Sequence, residues 1–490
     1  MIEAGGVKAA VRSNAKATML QPFHAIAFAL LMLASPLHAQ STVAKAPAGA
    51  KLTAGQLQED LAFLKKSIAA THPDLSYSTD TAALDQAFAS VDKRLRKPMS
   101  RDEAWRVFAS LNPVFSDAHL QVSMGDYEPE AKAHLAAGGG FFPYEVQLDG
   151  AGDVFIRTEM GGAPTDLARA RIDTINGVPA REVTRGLLAL TFGDTPALRS
   201  NLLSERWWRF YWKSFGTPAV FDLGVTTAQG RKKIRRTAAP SLPASFAALG
   251  DFDQVYRFEM LPGKVALLTV GSFLWPEKKL FYAMTEQAFA KMREAGASTL
   301  IIDVRTNGGG DDDMWKEGIL PYVAGKPYRH GSTGIKKVIE GRQNDTEKLG
   351  DIVKLEVGTW HQPQLGHPLR FGGKVYVLMG RTTYSSSIFF INTMQDFKFA
   401  TLVGEAGSAR VRQSGGIQHM VLPNSKWGVI VPRFILDRPS GKRAPELAQP
   451  DLVMEDDPFD SRALINALHS RILNEQAQTH EQTQEEKPKQ

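Results

Sequence analysis

No cysteine occurs anywhere in the chain, which excludes disulfides, thiol nucleophiles and thiolate metal sites. An exported protein can carry disulfides but does not need them, so the lack of cysteine is compatible with either side of a membrane. Long apolar runs are missing too: the longest, "AIAFALLMLA" near the N-terminus, falls well short of the roughly 20 residues that a helical span requires. Neither sign of charge predominates. The net charge is only +6, too small a bias to argue for nucleic acid as a partner. No internal repeat is visible, so solenoid and propeller architectures are excluded. What remains is the composition of an ordinary globular protein, 43% hydrophobic and 22% charged, long enough for two or three domains.

The short apolar run has the setting of a secretory signal. Lys8, Arg12 and Lys16 make a basic leader, and "SPLHAQ" offers cleavage after Ala39, with translation starting at Met1 or Met19. The reading is a signal peptide over 1–39, an exported and periplasmic mature protein, and no stable membrane span once the signal is removed. Residues 40–51, "QSTVAKAPAGAK", are small and polar and read as a linker.

The periodicity then changes twice. Over 52–125 apolar residues recur at helical spacing, as in "LQEDLAFLKKSI", with Thr53 as a cap and Pro73 as a stop. Over 140–240 the pattern becomes strands and turns: "FFPYEVQLDGAGDVFIRTEM" alternates around a glycine turn, and "INGVP" holds an Asn-Gly turn. From 255 to 472 strands alternate with helices. "KVALLTV", "STLIIDVRT" and "KVYVLMG" are nearly continuous apolar strands, suited to a sheet covered on both faces, and "KKLFYAMTEQAFAKMREAG" is an amphipathic helix. Residues 473–490, rich in glutamine and charge, read as a disordered tail.

Two stretches in the last region share one design. "LIIDVRTNGGGDDDMW" runs from a buried strand through glycines into a helix start, and "VYVLMGRTTYSSSIFFINTMQD" runs from a buried strand through a polar turn into another helix. Such turns present unpaired backbone N–H groups. Side by side, they would supply what acyl transfer needs: a nucleophile on one turn, with its neighbour's N–H and a glycine N–H from the other stabilising the oxyanion. The alternative is that the serines only cap a helix.

In that order, "LIIDVRTNGGG", "TTYSSSIFFINTMQD", "FATLVGEAG", "LPNS" and "QPDL" resemble the C-terminal processing (tail-specific) serine peptidases. The resemblance covers about residues 52–470. It implies an α/β fold: a crotonase/Clp protease-like catalytic domain, preceded by an N-terminal helical region and a β-rich, degenerate PDZ-like module at 140–240. It sets the nucleophile at Ser385, with Ser386 and either Gly308 or Gly309 as oxyanion donors. No cofactor is implied. The implied substrate is a peptide or protein with a flexible C-terminal tail, captured by strand addition to the PDZ-like module.

The sequence departs from the family pattern in one decisive place. Many members use a Ser-Lys dyad, but the register that puts the nucleophile at Ser385 puts Arg410 where the lysine belongs. A guanidinium stays protonated near neutral pH and cannot be the base. The tricorn-like branch uses a histidine from the helical region, and "FSDAHLQV" places His119 in the equivalent position, with Asp117 two residues before it. His119 could equally satisfy a local turn. His419, in "GGIQHMV", is a second histidine that could approach. The glutamate of that branch has no counterpart at the aligned spacing, where Ala444 stands, with Glu446 two residues on. Glu405 matches a family position and is expected to bond loop backbone rather than react.

Asp311, Asp312 and Asp313 are read as a helix start favoured by its unpaired N–H groups, not as metal ligands. "ERWWRFYWKSF" is expected in a core or groove rather than against a membrane. The commitment is thus an exported serine-type endopeptidase with a His base. Two rivals stand beside it: an inactive relative binding peptides or small apolar ligands in the same cleft, as retinoid-binding relatives do, and a crotonase-like enzyme acting on thioesters.

Overall fold

The computed structural model describes residues 51–125 and 127–485; the expected leader and nearly all of the linker lie outside them. A six-stranded sheet carries the region from 256 onward. Its order is Leu452–Val453, Thr401–Gly404, Lys374–Met379, Thr299–Asp303, Val265–Val270 and Tyr256–Leu261, and only the last strand runs antiparallel to its neighbour. The central strands are apolar throughout because both faces are covered. Leu268, Leu300, Ile302 and Val377 pack with Phe281 and Phe289 of helix Lys278–Glu294 and with Ile388 and Ile391 of helix Ser386–Asp396. Leu267, Ile301, Leu378 and Val403 point the other way, onto Leu464, Ile465, Leu468 and Ile472.

Those last four residues belong to helix Ala463–Glu485, which corrects the expectation of a disordered tail from 473. The apolar turns docked on the sheet supply the costly nucleus. Glutamine, glutamate and alanine then propagate the helix, since all three are good helix formers once a first turn exists.

The helical region forms as expected, with helices Ala54–Thr71, Thr81–Arg94 and Arg101–Ala109; the first and third begin in capping boxes, Thr53 with Gln56 and Ser100 with Glu103. Strand Gln121–Ser123 then pairs with Gly428–Val431, which also pairs with Gln418–Val421. One core joins Leu61, Phe108 and Phe115 of the helical region, Phe142 and Trp207 of the middle module, and Trp427 and Val429 from beyond the serine turn. The three sequence regions thus share a core, and segments distant in sequence close around one place.

The middle module has the strand order Tyr144–Leu148, Val154–Glu159, Arg171–Ile175, Val220–Thr227 and Gly230–Thr237. Asn176 and Gly177 both have positive φ, 51° and 82°, and turn strand Arg171–Ile175 into the short strand Val178–Pro179. The aromatic run lies on helix Pro196–Phe215, where Trp207 and Tyr211 pack on Phe142 and Trp208 packs on Phe141, so it is core. Strand Gly230–Thr237, with five cations in "GRKKIRRT", is paired on one side only. It is a concentration of charge that the whole-chain balance conceals, and charge on an edge strand discourages unwanted pairing.

Candidate active site

Strands Thr299–Asp303 and Lys374–Met379 are parallel neighbours in register, so the chain leaves both at the same end of the sheet. The two turns that follow are tied together. Thr383 donates its hydroxyl to the Val304 carbonyl at 2.9 Å and accepts from the Gly380 N–H at 2.9 Å, and the Tyr384 N–H reaches the Asn307 carbonyl at 3.2 Å. The glycine turn is held from behind, because the Asn307 side chain donates to the Val270 carbonyl and accepts from the Gly309 N–H. Gly309 has φ of 105°, and a β-carbon there would lie 2.6 Å from the Ser385 β-carbon and 2.9 Å from the Ser386 nitrogen. Only glycine permits so close an approach of the two turns.

The three consecutive serines have three different fates. Ser387 is sealed in the core, its hydroxyl without a partner among the described residues. Ser386 is buried as well; its hydroxyl donates to Asp312 at 2.6 Å and accepts from the Trp315 indole at 3.0 Å. Ser385 alone is half-buried, at the N-cap of helix Ser386–Asp396 with φ of 57° and ψ of −125°. A side chain held at positive φ is uncommon and strained, and here the strain turns the hydroxyl outward from the strand-to-helix corner. Its Oγ lies 2.9 Å from Nε2 of His119. Among the described residues, the backbone N–H groups of Ser386 and Gly308 donate to no protein acceptor, whereas that of Gly309 is engaged by Asn307.

His119 arrives from 266 positions earlier, on the loop after helix Asn112–Phe115. That loop turns at Ser116, which has φ of 48°, and is fastened by Asp117, whose Oδ1 accepts the His119 N–H at 2.8 Å. The other ring nitrogen, Nδ1, is 3.1 Å from the Ser414 hydroxyl, which in turn donates to Asp117 Oδ1 at 2.9 Å. With its proton given to Asp117, Ser414 acts as acceptor toward His119. The network therefore assigns the proton to Nδ1 and leaves the Nε2 lone pair facing Ser385.

Burial dominates the electrostatics. It pushes the His119 imidazole down to about 4 against the opposing pull of Asp194. The imidazole is thus neutral, and able to accept a proton, through the whole neutral range. Burial also raises the Asp117 carboxyl, against hydrogen bonds from His119 and Ser414.

The remaining sequence candidates sit apart from the reacting atoms. Arg410 braces the histidine loop, donating to the Ser116 carbonyl at 2.6 Å and to Glu446 at 3.0 Å, which also occupies the glutamate considered as a third member. Glu405 accepts from Arg381 and from the Asp456 N–H. His419 lies in strand Gln418–Val421 opposite Ile430 and makes no hydrogen bond to Ser385. The acidic run starts a helix: Asp311 caps it through the Asp313 N–H, Lys278 pairs with Asp311 and Asp313, and Asp312 holds Ser386. Sequence reading missed Ser414. It is 295 positions from the imidazole it touches, and "RQSGG" carries no mark of that neighbour.

Residues 264–454, which include both turns and Ser414, match the model of peptidase family S41. This segment is an S41 peptidase domain. Among solved structures, mature CPAF superposes with a TM-score of 0.58 at 15% identity, covering 86% of this chain and 96% of that one. A serine-to-alanine mutant of CPAF gives 0.59 at 14% identity, with the same coverage. At such identities the likeness speaks for the fold. No curated protein matches the chain. The family match supports a serine-type peptidase in residues 264–454, and the likeness to CPAF covers the mixed α/β fold together with the β-rich module beside it.

Proposed function

We propose that the chain is an endopeptidase in which Ser385 is the nucleophile and His119 the base. The observation that carries this reading is the 2.9 Å contact between Ser385 Oγ and the unprotonated Nε2 of His119. Ser385 Oγ bonds to the scissile carbonyl carbon while its proton passes to Nε2. The carbonyl electron pair moves onto oxygen, which the N–H groups of Ser386 and Gly308 are free to bind. Collapse of this intermediate breaks the C–N bond, and the departing amine takes the proton from Nε2. Water then repeats the sequence on the acyl-enzyme and frees Ser385. Arg410 stands where many relatives have lysine, and its permanent charge leaves the histidine as base.

Treatment of the purified chain with a fluorophosphonate, followed by peptide mapping, tests the assignment. A label on Ser385 supports it. No label, or a label on another serine, favours a cleft that only binds ligands.

Ser414 and Asp117 orient the imidazole. Ser414→Ala leaves Nδ1–H without its acceptor, and kcat is expected to fall about fivefold with KM unchanged, the scale of one hydrogen bond of about 1 kcal/mol. Steady-state kinetics on a peptide substrate checks this.

The pH dependence has a definite sign. Below its pKa the imidazole carries a proton on Nε2 and cannot accept another, so labelling falls as pH drops through about 4 and stays flat above it. An acid limb centred near the ordinary 6.5 would contradict the buried, neutral histidine. Because the folded pKa is depressed, the unfolded chain gains the proton first, and stability itself declines from about 6.5 toward about 4. The labelling rates are therefore normalised to the folded fraction measured by near-UV circular dichroism.

The substrate that goes with this reading is a polypeptide with a flexible C-terminal tail, added as a strand to the PDZ-like module at 140–240. We place the mature protein in the periplasm on the strength of the N-terminal leader. Among the described residues no helix is long and apolar enough to cross a membrane.

A further inference from the structure

Helices Ala180–Leu188 and Pro196–Phe215 of the middle module are joined by a short connection that runs into the catalytic domain. Thr195 caps the second helix and donates its hydroxyl to the Ser408 carbonyl at 2.8 Å. The residue before it, Asp194, is buried. A carboxylate so placed is costly unless its oxygens are matched by donors. Here the donors come from three separate segments. Oδ1 accepts the Ala118 N–H at 3.1 Å and the Tyr384 hydroxyl at 2.7 Å, and Oδ2 accepts the Arg410 N–H at 3.1 Å.

The partners are not arbitrary. Ala118 immediately precedes His119, and Tyr384 immediately precedes Ser385. Arg410 opens the segment that ends in Ser414 and anchors the histidine loop through the Ser116 carbonyl. The Tyr384 ring also lies against the imidazole, with centroids 4.8 Å apart. One carboxylate thus holds the neighbour of the proposed nucleophile, the neighbour of the proposed base, and the strand approach of the residue that orients that base.

We propose that Asp194 is a positioning residue, a clamp by which the middle module sets the Ser385–His119 distance. It touches neither reacting atom. Its effect passes through Tyr384 and Ala118, so its loss allows the serine turn and the histidine loop to drift relative to each other. Misplacement of a reacting group by about 1 Å can cost about 10² in rate without altering substrate affinity. The inference rests on the Ser385–His119 reading above and adds that a third segment fixes that pair.

The test compares Asp194→Ala, Asp194→Asn and Tyr384→Phe by kcat, KM and thermal melting, with the wild type labelled by fluorophosphonate in parallel. Asp194→Ala is expected to lower kcat about 100-fold with KM within about twofold of wild type, in protein that still melts cooperatively. Asp194→Asn keeps one acceptor oxygen and should recover about tenfold of that loss. Tyr384→Phe should lower kcat about tenfold alone and add less than about twofold to Asp194→Ala, because the two act through one bond.

A folded Asp194→Ala protein with kcat near that of wild type overturns the clamp. So does a rise in KM at unchanged kcat, or losses that multiply in the double variant. If Asp194→Ala does not fold, Tyr384→Phe decides alone, and unchanged kcat in it sinks the proposal. Failure of the wild type to label at Ser385 strikes instead at the underlying catalytic reading.

Discussion

Ser385→Ala is expected to abolish fluorophosphonate labelling and to lower kcat on a peptide substrate by about 10⁶, the scale on which a serine peptidase loses its nucleophile. KM should change little, because the hydroxyl sits at the reacting centre rather than along the substrate. Ser386→Ala and Ser387→Ala make the comparison sharp. The first removes a buried hydroxyl that donates to Asp312 and accepts from Trp315, and its cost should appear in melting temperature. The second removes a buried hydroxyl with no partner among the described residues, so stability should hold or rise slightly. Both keep the label on Ser385. A Ser385→Ala protein that retains turnover would transfer the nucleophile elsewhere and undo the proposed mechanism.

His119→Ala should be the second largest loss, about 10⁴ in kcat, since proton transfer in both directions runs through Nε2. The substitution also removes the ring N–H that the Ser414 hydroxyl accepts, while its bond to Asp117 stays, so His119→Gln, closer in volume, serves as the control. The residual rate of either variant should rise with pH, as hydroxide replaces the missing base, while the wild type is flat above about pH 4. Retention of more than about a tenth of wild-type kcat in both variants would assign the base to another group.

Much of this site was legible in one dimension. The strands carried their burial in continuous apolar runs such as "LIIDV", and the two turns carried theirs in glycine and serine at the strand ends. Those are local properties, fixed by a few neighbouring residues. Arg410 spoke against a lysine-type base from its chemistry alone. The acidic run was readable for the same reason, because a helix start attracts carboxylates whatever lies around it. The tail at 473–490 was misjudged because its composition is that of unstructured chain, while its helix starts ten residues earlier on side chains that dock on the sheet.

The resemblance pointed to Ser385, but the physical difference among three adjacent serines appears only in the fold. Identical residues at consecutive positions differ only in where the backbone points them, and that direction comes from the corner at Ser385 and the press of Gly309 against it. The supports of His119 were invisible for a related reason. Ser414 and Asp194 are ordinary polar residues in sequence, and they acquire meaning only where chain segments hundreds of positions apart enclose them away from water. The sequence by itself determined the sheet, the pair of turns and the chemical types available to them. Tertiary structure alone supplied the contact between that hydroxyl and that imidazole and the groups that support it, because hydrogen bonds act over about 3 Å and only folding brings such distant residues that close.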